Sequence, residues 1–237
     1  MTRERTIILH YHLFKNAGTS VDDILRRNVG ARWVTREFAQ IGGNNTALVE
    51  DWIRDTPEAI AYSSHTMLGP IPQVQGVRVI SLALLRDPIA RIRSAYRFER
   101  TQEATTWGTA LARQHDLAGY INARLDRSGD RQCRNFQTYR LASLCPGEGS
   151  ELERAMRALT TLTVAGRVEA FAEAMERLAT AARPFLPDFT CADVRQNRGP
   201  GLAPDPLSDT ALCRLTQSNE HDLRLIAALR HCTADQG

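Results

Sequence analysis

Thr6-Ile7-Ile8-Leu9-His10-Tyr11-His12 is an apolar, partly β-branched run that turns at Phe14-Lys15-Asn16-Ala17-Gly18-Thr19-Ser20 and becomes helix-like at Val21-Asp22-Asp23-Ile24-Leu25. A strand, a small-residue turn carrying a lysine, a pair of hydroxyls and then a helix make the layout of a phosphate cradle. Gly18 lets the backbone approach an anion closely. The amides of Gly18, Thr19 and Ser20 open the helix and point at that anion. Lys15 adds a mobile positive charge, and Thr19 and Ser20 add hydroxyl donors. No Gly-Lys-Ser/Thr follows, so the turn is not a Walker A motif. The lysine precedes the glycine by three residues, which weakens a kinase or NTPase reading, because magnesium needs the hydroxyl beside the lysine. Taken alone, the turn reads equally well as an ordinary strand-to-helix loop.

A second stretch ends a strand at Leu84-Leu85 and runs on as Arg86-Asp87-Pro88-Ile89-Ala90-Arg91-Ile92-Arg93-Ser94-Ala95-Tyr96. Asp87 as N-cap and Pro88 at the first helical position fix a helix start just after Arg86. Ser94 lies seven residues beyond Asp87 and so returns to the same helix face two turns on. An arginine fork and a serine hydroxyl placed in this way can grip one phosphate. Alone, Arg86 reads better as a surface ion pair. The two stretches together point to two anion sites, one for each phosphate end of a nucleotide that carries an extra phosphate.

Around these stretches the strand expectations are Thr6–His12, Ala59–Ser63, Val77–Leu85 and Leu162–Ala165. The first and third are nearly continuous apolar runs, as befits strands covered on both faces. Helices are expected at Ser20–Arg27, Thr46–Arg54, Pro88–Glu103, Ser150–Leu159 (opened by a Ser150–Glu153 capping box), Ala170–Ala182 and Ser208–Leu229. Alternating strands and helices predict an α/β fold, a three-layer α/β/α sandwich on a central parallel sheet. At 237 residues, 43% hydrophobic and 24% charged, the chain is read as one domain, 1–237, with a large core. Pro184–Pro187 and Gly199–Pro206 are expected to be loops within it.

The net charge of +3 fits an anionic ligand, and nothing resembles the basic stripe of a nucleic-acid binder. The five cysteines are scattered, odd in number and without C-x-x-C spacing, which argues against a zinc site and a disulfide framework and for reduced thiols in the cytoplasm. No long apolar segment could span a bilayer. The apolar run after Arg3, Glu4 and Arg5 is short and broken by His10 and His12, so it reads as a first strand and not as a signal peptide. No carboxylate or His/Cys cluster at ligand spacing predicts a bound metal.

Both decisive stretches resemble the PAPS-dependent sulfotransferases. His12-Leu13-Phe14-Lys15-Asn16-Ala17-Gly18-Thr19-Ser20 is similar to that family's 5′-phosphosulfate loop, usually close to Pro-Lys-Thr-Gly-Gly-Thr-Ser, and Arg86-Asp87-Pro88 with Arg91, Ser94 and Tyr96 is similar to its 3′-phosphate motif. Asn135-Phe136-Gln137-Thr138-Tyr139-Arg140-Leu141, Val164-Ala165-Gly166-Arg167-Val168-Glu169 and Asn219-Glu220-His221-Asp222 resemble segments of the Golgi carbohydrate sulfotransferases and their bacterial relatives. Phe14, Asn16 and Ala17 depart from the usual proline, threonine and glycine, and Ala17 is strained if its position needs positive φ. The resemblance implies a P-loop-type nucleotide-binding fold and PAPS as donor. It implies cofactor contacts from Lys15, Asn16, Ala17, Gly18, Thr19, Ser20, Arg86 and Ser94.

The histidine-based members of that family carry their base in a similar Gly/Ser-His-x-x-x-Gly setting, which Ser64-His65-Thr66-Met67-Leu68-Gly69 matches. His65 also follows an apolar strand, and the carboxyl end of a parallel strand faces the ligand crevice. The implied chemistry is transfer of a sulfuryl group to an acceptor hydroxyl, with His65 taking the proton and Lys15 neutralising the leaving phosphate. His10 and His12 read as structural. Arg134, Asn135, Gln137 and Arg140 read either as helix surface or as contacts to acceptor or cofactor. Asn197-Arg198-Gly199-Pro200-Gly201 reads as a loop over the adenosine end or as a plain turn. The expectation is a cytoplasmic, bacterial O-sulfotransferase acting on a carbohydrate, glycoconjugate or small molecule, with a nucleotide-dependent kinase or a non-catalytic nucleotide-binding module as the alternatives.

Overall fold

The structure, a computed structural model, describes residues 4–39, 43–191 and 206–234. The proposed loop over adenosine, Asn197–Gly201 with Arg198, and most of Gly199–Pro206 lie outside the described residues. The chain gathers into two compact units, each discontinuous in sequence: Met1–Leu85 with Arg140–Asn197, and Arg86–Tyr139 with Arg198–Gly237.

The first unit holds a five-stranded parallel sheet in the order β2-β3-β1-β4-β5, made from β1 (Arg5–Tyr11), β2 (Trp33–Thr35), β3 (Ala61–Ser64), β4 (Val77–Leu85) and β5 (Val164–Arg167). This is the α/β/α architecture that the alternating pattern predicts. Ile8 of β1, Ala61 of β3, Ile80, Leu82 and Leu84 of β4 and Val164 of β5 point to one face. There they meet Val21, Ile24, Leu25 and Val29 of α1 (Gly18–Val29) and Phe171, Ala174, Met175 and Leu178 of α8 (Phe171–Ala182). The i, i+3, i+4 spacing of those residues is what turns one stripe of each helix inward. Each aliphatic side chain buried in this way contributes about 1.5–3 kcal/mol. Residues of opposite parity cover the other face. Tyr62 packs edge-on to Trp52 of α2 (Thr46–Asp55), centroids 4.8 Å apart, and the Arg5 guanidinium reaches the Tyr62 hydroxyl and the Ile53 carbonyl.

Strand order positions the site. β1 leads through α1 to β2 on one side of it, whereas its other neighbour β4 leads on to β5. The carboxyl ends of β1 and β4 therefore flank the switch point of the sheet, where α/β folds bind ligands.

The second unit is helical. It contains α3 (Pro88–Thr101), α4 (Trp107–Gln114), α5 (Leu117–Asp126), α9 (Asp209–Ser218) and α10 (Glu220–Ala234), and α6 (Phe136–Ala142) begins in it. Ile92, Tyr96, Leu111, Leu117, Tyr120, Ile121 and Leu215 form its core. Asp87 caps α3 by accepting from the Ala90 N–H at 2.8 Å, as its spacing predicts. In the first unit, Ser150 and Glu153 close the expected capping box of α7 (Glu151–Thr161).

Three differences from the sequence reading have physical reasons. β2 is three residues long, too short for any periodicity to register. α4 and α5 are short helices carrying Gly108 and Gly119, residues that dilute a helical pattern. The run expected as one helix over Ser208–Leu229 divides into α9 and α10 at Asn219. The Asn219 side-chain amide donates to the Leu215 and Cys133 carbonyls at 2.8 Å each, and an asparagine that competes for backbone carbonyls in this way ends a helix.

Among the described residues no helix is long and apolar enough to cross a membrane. Cys133, Cys145, Cys191 and Cys213 are free thiols, and burial pushes Cys133 up to about 12.

Candidate functional site

β1 ends at Tyr11, and the chain then turns through residues 14–17 into α1. Two non-glycine residues of this turn hold left-handed backbone, Lys15 at φ 64° and Ala17 at φ 60°. Conformations of this kind raise the energy by about 1–3 kcal/mol each and concentrate at functional sites. Ala17 is thus the strained departure that its alanine implied. The amides of Gly18 and Thr19 open α1 ahead of the first intrahelical acceptor, the Ala17 carbonyl, which receives Ser20 N–H at 3.0 Å. Thr19 is exposed, Lys15 and Ala17 are half-buried, and Gly18 and Ser20 are buried. Asn16 is also buried; its side chain donates to the Leu84 carbonyl at 2.7 Å and ties the turn to the end of β4. That bond gives Asn16 a framework task in addition to the ligand contact that the resemblance implies.

His65 directly follows β3, whose pairing with β1 runs to Tyr11↔Ser64. It is exposed, and its ring packs against that of His12 with centroids 3.8 Å apart and planes tilted by 31°. His12, expected to be structural, therefore lines the candidate site. A Cβ at residue 18 would lie 2.0 Å from His12 Cδ2, so only glycine fits beneath that ring. His10 of β1 and His12 just past its end both turn toward α1, where Asp22 receives His10 Nδ1–H at 2.9 Å on one oxygen and His12 Nδ1–H at 3.0 Å on the other. Burial alone would raise the Asp22 pKa, but the hydrogen bonds from the two imidazoles hold it well below the usual carboxylate range. Burial lowers the His12 pKa against the pull of Asp22.

The donor atoms of His10, His12 and Asp22 lie within 4.8 Å of one another. The sequence reading found no carboxylate or His/Cys cluster at ligand spacing; this set comes together only once α1 folds over β1. Two imidazoles and a carboxylate suit a transition metal, yet the Asp22 oxygens already accept one ring N–H each.

Beyond His65 the loop is braced from below. Asn45 bonds the Leu68 N–H and the Thr66 carbonyl at 2.8 Å each. The buried Arg140 guanidinium donates to the Met67 carbonyl at 2.9 Å and so braces this loop. Gly69 sits at φ 113°, and a side chain there would meet Asn44 Oδ1 at 2.1 Å. Glu37 is a site residue that the sequence reading missed. Its Oε1 accepts from His65 Nδ1 at 2.9 Å, and its Oε2 accepts from the Thr66 hydroxyl at 2.7 Å. Burial would raise the Glu37 pKa, and the bonds from Thr66 and His65 lower it overall.

In the second unit Arg86 is half-buried, and the fully buried Gln137 side chain brackets its peptide. Gln137 Oε1 accepts from Arg86 N–H at 2.8 Å and Gln137 Nε2 donates to the Arg86 carbonyl at 2.9 Å. Asp222, also fully buried, accepts from the N–H of Gln137 and of Thr138 and from the Thr138 hydroxyl. Gln137 thus positions Arg86 from within the core. Ser94 lies half-buried on α3, and Tyr96 is packing, its hydroxyl donating to the His115 carbonyl at 2.9 Å. Arg91 is fully buried, its guanidinium 4.4 Å from the Phe136 ring centroid.

No family model matches the sequence. An uncharacterized protein of Archaeoglobus fulgidus is 37% identical over 201 residues, a match covering 81% of this chain and 79% of that relative. Identity and coverage of that order establish common descent, and the chain belongs to one family with that uncharacterized archaeal protein.

Proposed function

We propose that this protein is a PAPS-dependent O-sulfotransferase that moves a sulfuryl group to a hydroxyl of a carbohydrate, glycoconjugate or small-molecule acceptor in the cytoplasm. The observation that carries this reading is the pairing of a strained, lysine-bearing turn at the end of β1 with an exposed histidine at the end of the adjacent β3, their segments meeting at the 3.8 Å contact of His12 with His65. An anion cradle beside an exposed imidazole suits sulfuryl transfer from a phosphosulfate to a hydroxyl.

In this mechanism the amides of Gly18 and Thr19 and the hydroxyls of Thr19 and Ser20 hold the 5′-phosphate. Arg86 and Ser94 take the 3′-phosphate. The acceptor oxygen attacks sulfur in line while His65 Nε2 takes its proton. The bond from sulfur to the bridging oxygen breaks, and Lys15 neutralises the charge arriving on the departing phosphate. Holding donor and acceptor together supplies much of the rate.

The test combines nucleotide-induced thermal shifts with transfer of labelled sulfate from PAPS to a panel of acceptors. Stabilisation by PAP without magnesium, and chelator-insensitive transfer, are expected. A shift that needs ATP and magnesium together would establish the kinase reading instead. His65→Ala is expected to abolish turnover while PAP affinity stays within about twofold. Arg86→Ala is expected to weaken PAP by at least about tenfold more than adenosine 5′-phosphosulfate, the loss of one charged hydrogen bond. Equal weakening of the two nucleotides would remove the 3′-phosphate assignment.

A further inference from the structure

We propose that Glu37 is the positioning residue of His65: it holds the ring in the Nδ1–H tautomer, so that Nε2 is the nitrogen that accepts a proton. The proposal rests on the sulfotransferase reading above and names the group that makes its base effective.

The placement begins with β2. Its parallel register with β3 pairs Thr35 with Ser63, and two residues further the same register sets Glu37 against His65. Glu37 Oε1 accepts from His65 Nδ1 at 2.9 Å and from the His65 backbone N–H at 3.2 Å. One oxygen that receives both the ring and the main chain of a residue fixes its side-chain torsions. The other oxygen accepts from the Thr66 hydroxyl at 2.7 Å and the Ser64 hydroxyl at 3.4 Å. Thr66 Oγ1 in turn accepts from Phe38 N–H at 2.6 Å. Residues 37–38 and 64–66 therefore form a closed set of bonds in which every component holds another.

An ionised carboxylate has no proton to give, so the hydrogen of the Nδ1 contact belongs to the ring. That leaves the Nε2 lone pair for the acceptor hydroxyl, and it places a negative charge beside the imidazolium that forms. The remaining groups around His65 do not compete for this task. His12 meets its face, and the Nδ1–H of His12 is given to Asp22 on α1, which also holds His10. A carboxylate that orients a histidine base in this way is a recurrent device in unrelated enzymes.

The experiment uses the full chain, with the 15N signature of the neutral His65 ring and steady-state kinetics read on the same samples of wild type, Glu37→Gln, Glu37→Asp and Glu37→Ala. Wild type is expected to show the Nδ1–H form. Glu37→Ala is expected to move toward the Nε2–H form and to lose kcat on the order of 10- to 100-fold, with KM for PAPS unchanged. Glu37→Gln keeps an acceptor for Nδ1–H but loses the charge, so it retains the tautomer and loses part of kcat. Glu37→Asp recovers activity relative to Glu37→Ala. If Glu37→Ala keeps the Nδ1–H form, or changes tautomer with kcat within twofold of wild type, the proposal is wrong. If wild type transfers no sulfuryl group from PAPS, the functional reading fails, and the ring signature of the same samples still decides whether Glu37 sets the tautomer.

Discussion

Replacing Asp22 by asparagine tests the framework beneath the site. The native carboxylate receives two imidazole N–H groups, at 2.9 and 3.0 Å, with its side chain only 13% exposed. An asparagine keeps one acceptor oxygen and turns an N–H2 toward the other ring, so one bond is lost and two donors confront each other. A hydrogen bond to a charged group contributes about 1.5–3 kcal/mol, which makes the expected loss for Asp22→Asn about 2–3 kcal/mol. For a chain of this length that corresponds to a melting temperature lower by roughly 4–12 °C. The assay is thermal unfolding at pH 8, far above the pH at which the Asp22 carboxylate gains its proton. Linkage supplies the second reading. The folded pKa of Asp22 lies below its unfolded value of 3.8, so its stabilisation is complete above that pH and is lost as the pH falls through the folded pKa. The gap between wild type and Asp22→Asn should therefore narrow below pH 3.8. A gap under about 0.5 kcal/mol at pH 8, within the ordinary range of surface substitutions, would refute the reasoning.

Three other outcomes follow from the geometry. Ala17→Gly should stabilise the protein by up to about 1 kcal/mol, because relief of left-handed strain exceeds the added unfolded-chain entropy; a lowered melting temperature would contradict it. Arg124→Met should destabilise the helical unit by about 3–5 kcal/mol by leaving the buried Glu99 and Asp130 carboxylates unpaired. Adding Glu99→Leu should recover at least half of that loss in a double-mutant cycle. Gln137→Ala removes both bonds to the Arg86 peptide, at 2.8 and 2.9 Å, and should lower stability by about 1–3 kcal/mol. It should also weaken PAP more than adenosine 5′-phosphosulfate in titration calorimetry.

The sheet was legible because β1 and β4 are long β-branched runs whose burial on both faces leaves a continuous apolar signature. Helix starts were legible wherever a side chain caps locally, as at Asp87 and Ser150. The turn between β1 and α1 was legible because the residues that make it lie within seven consecutive positions. Glu37 was not, because what makes it meaningful is the register of a three-residue strand that no pattern announces. His12 and Asp22 are separated by the turn and meet only when α1 packs on β1, so each looked like a residue of its own element. That Gln137 and Arg140 are buried and bond the backbone, at Arg86 and at Met67, was hidden from a sequence in which both are simply polar.

The bare α-carbon of Gly18 under the His12 imidazole binds two positions six apart into one choice. A lineage that keeps a ring at 12 is compelled to keep hydrogen as the side chain at 18, whereas one that shrinks residue 12 releases 18 to vary. In distant kin, the two columns should therefore change together, and a search that weights them jointly will reach further than one that scores the turn alone.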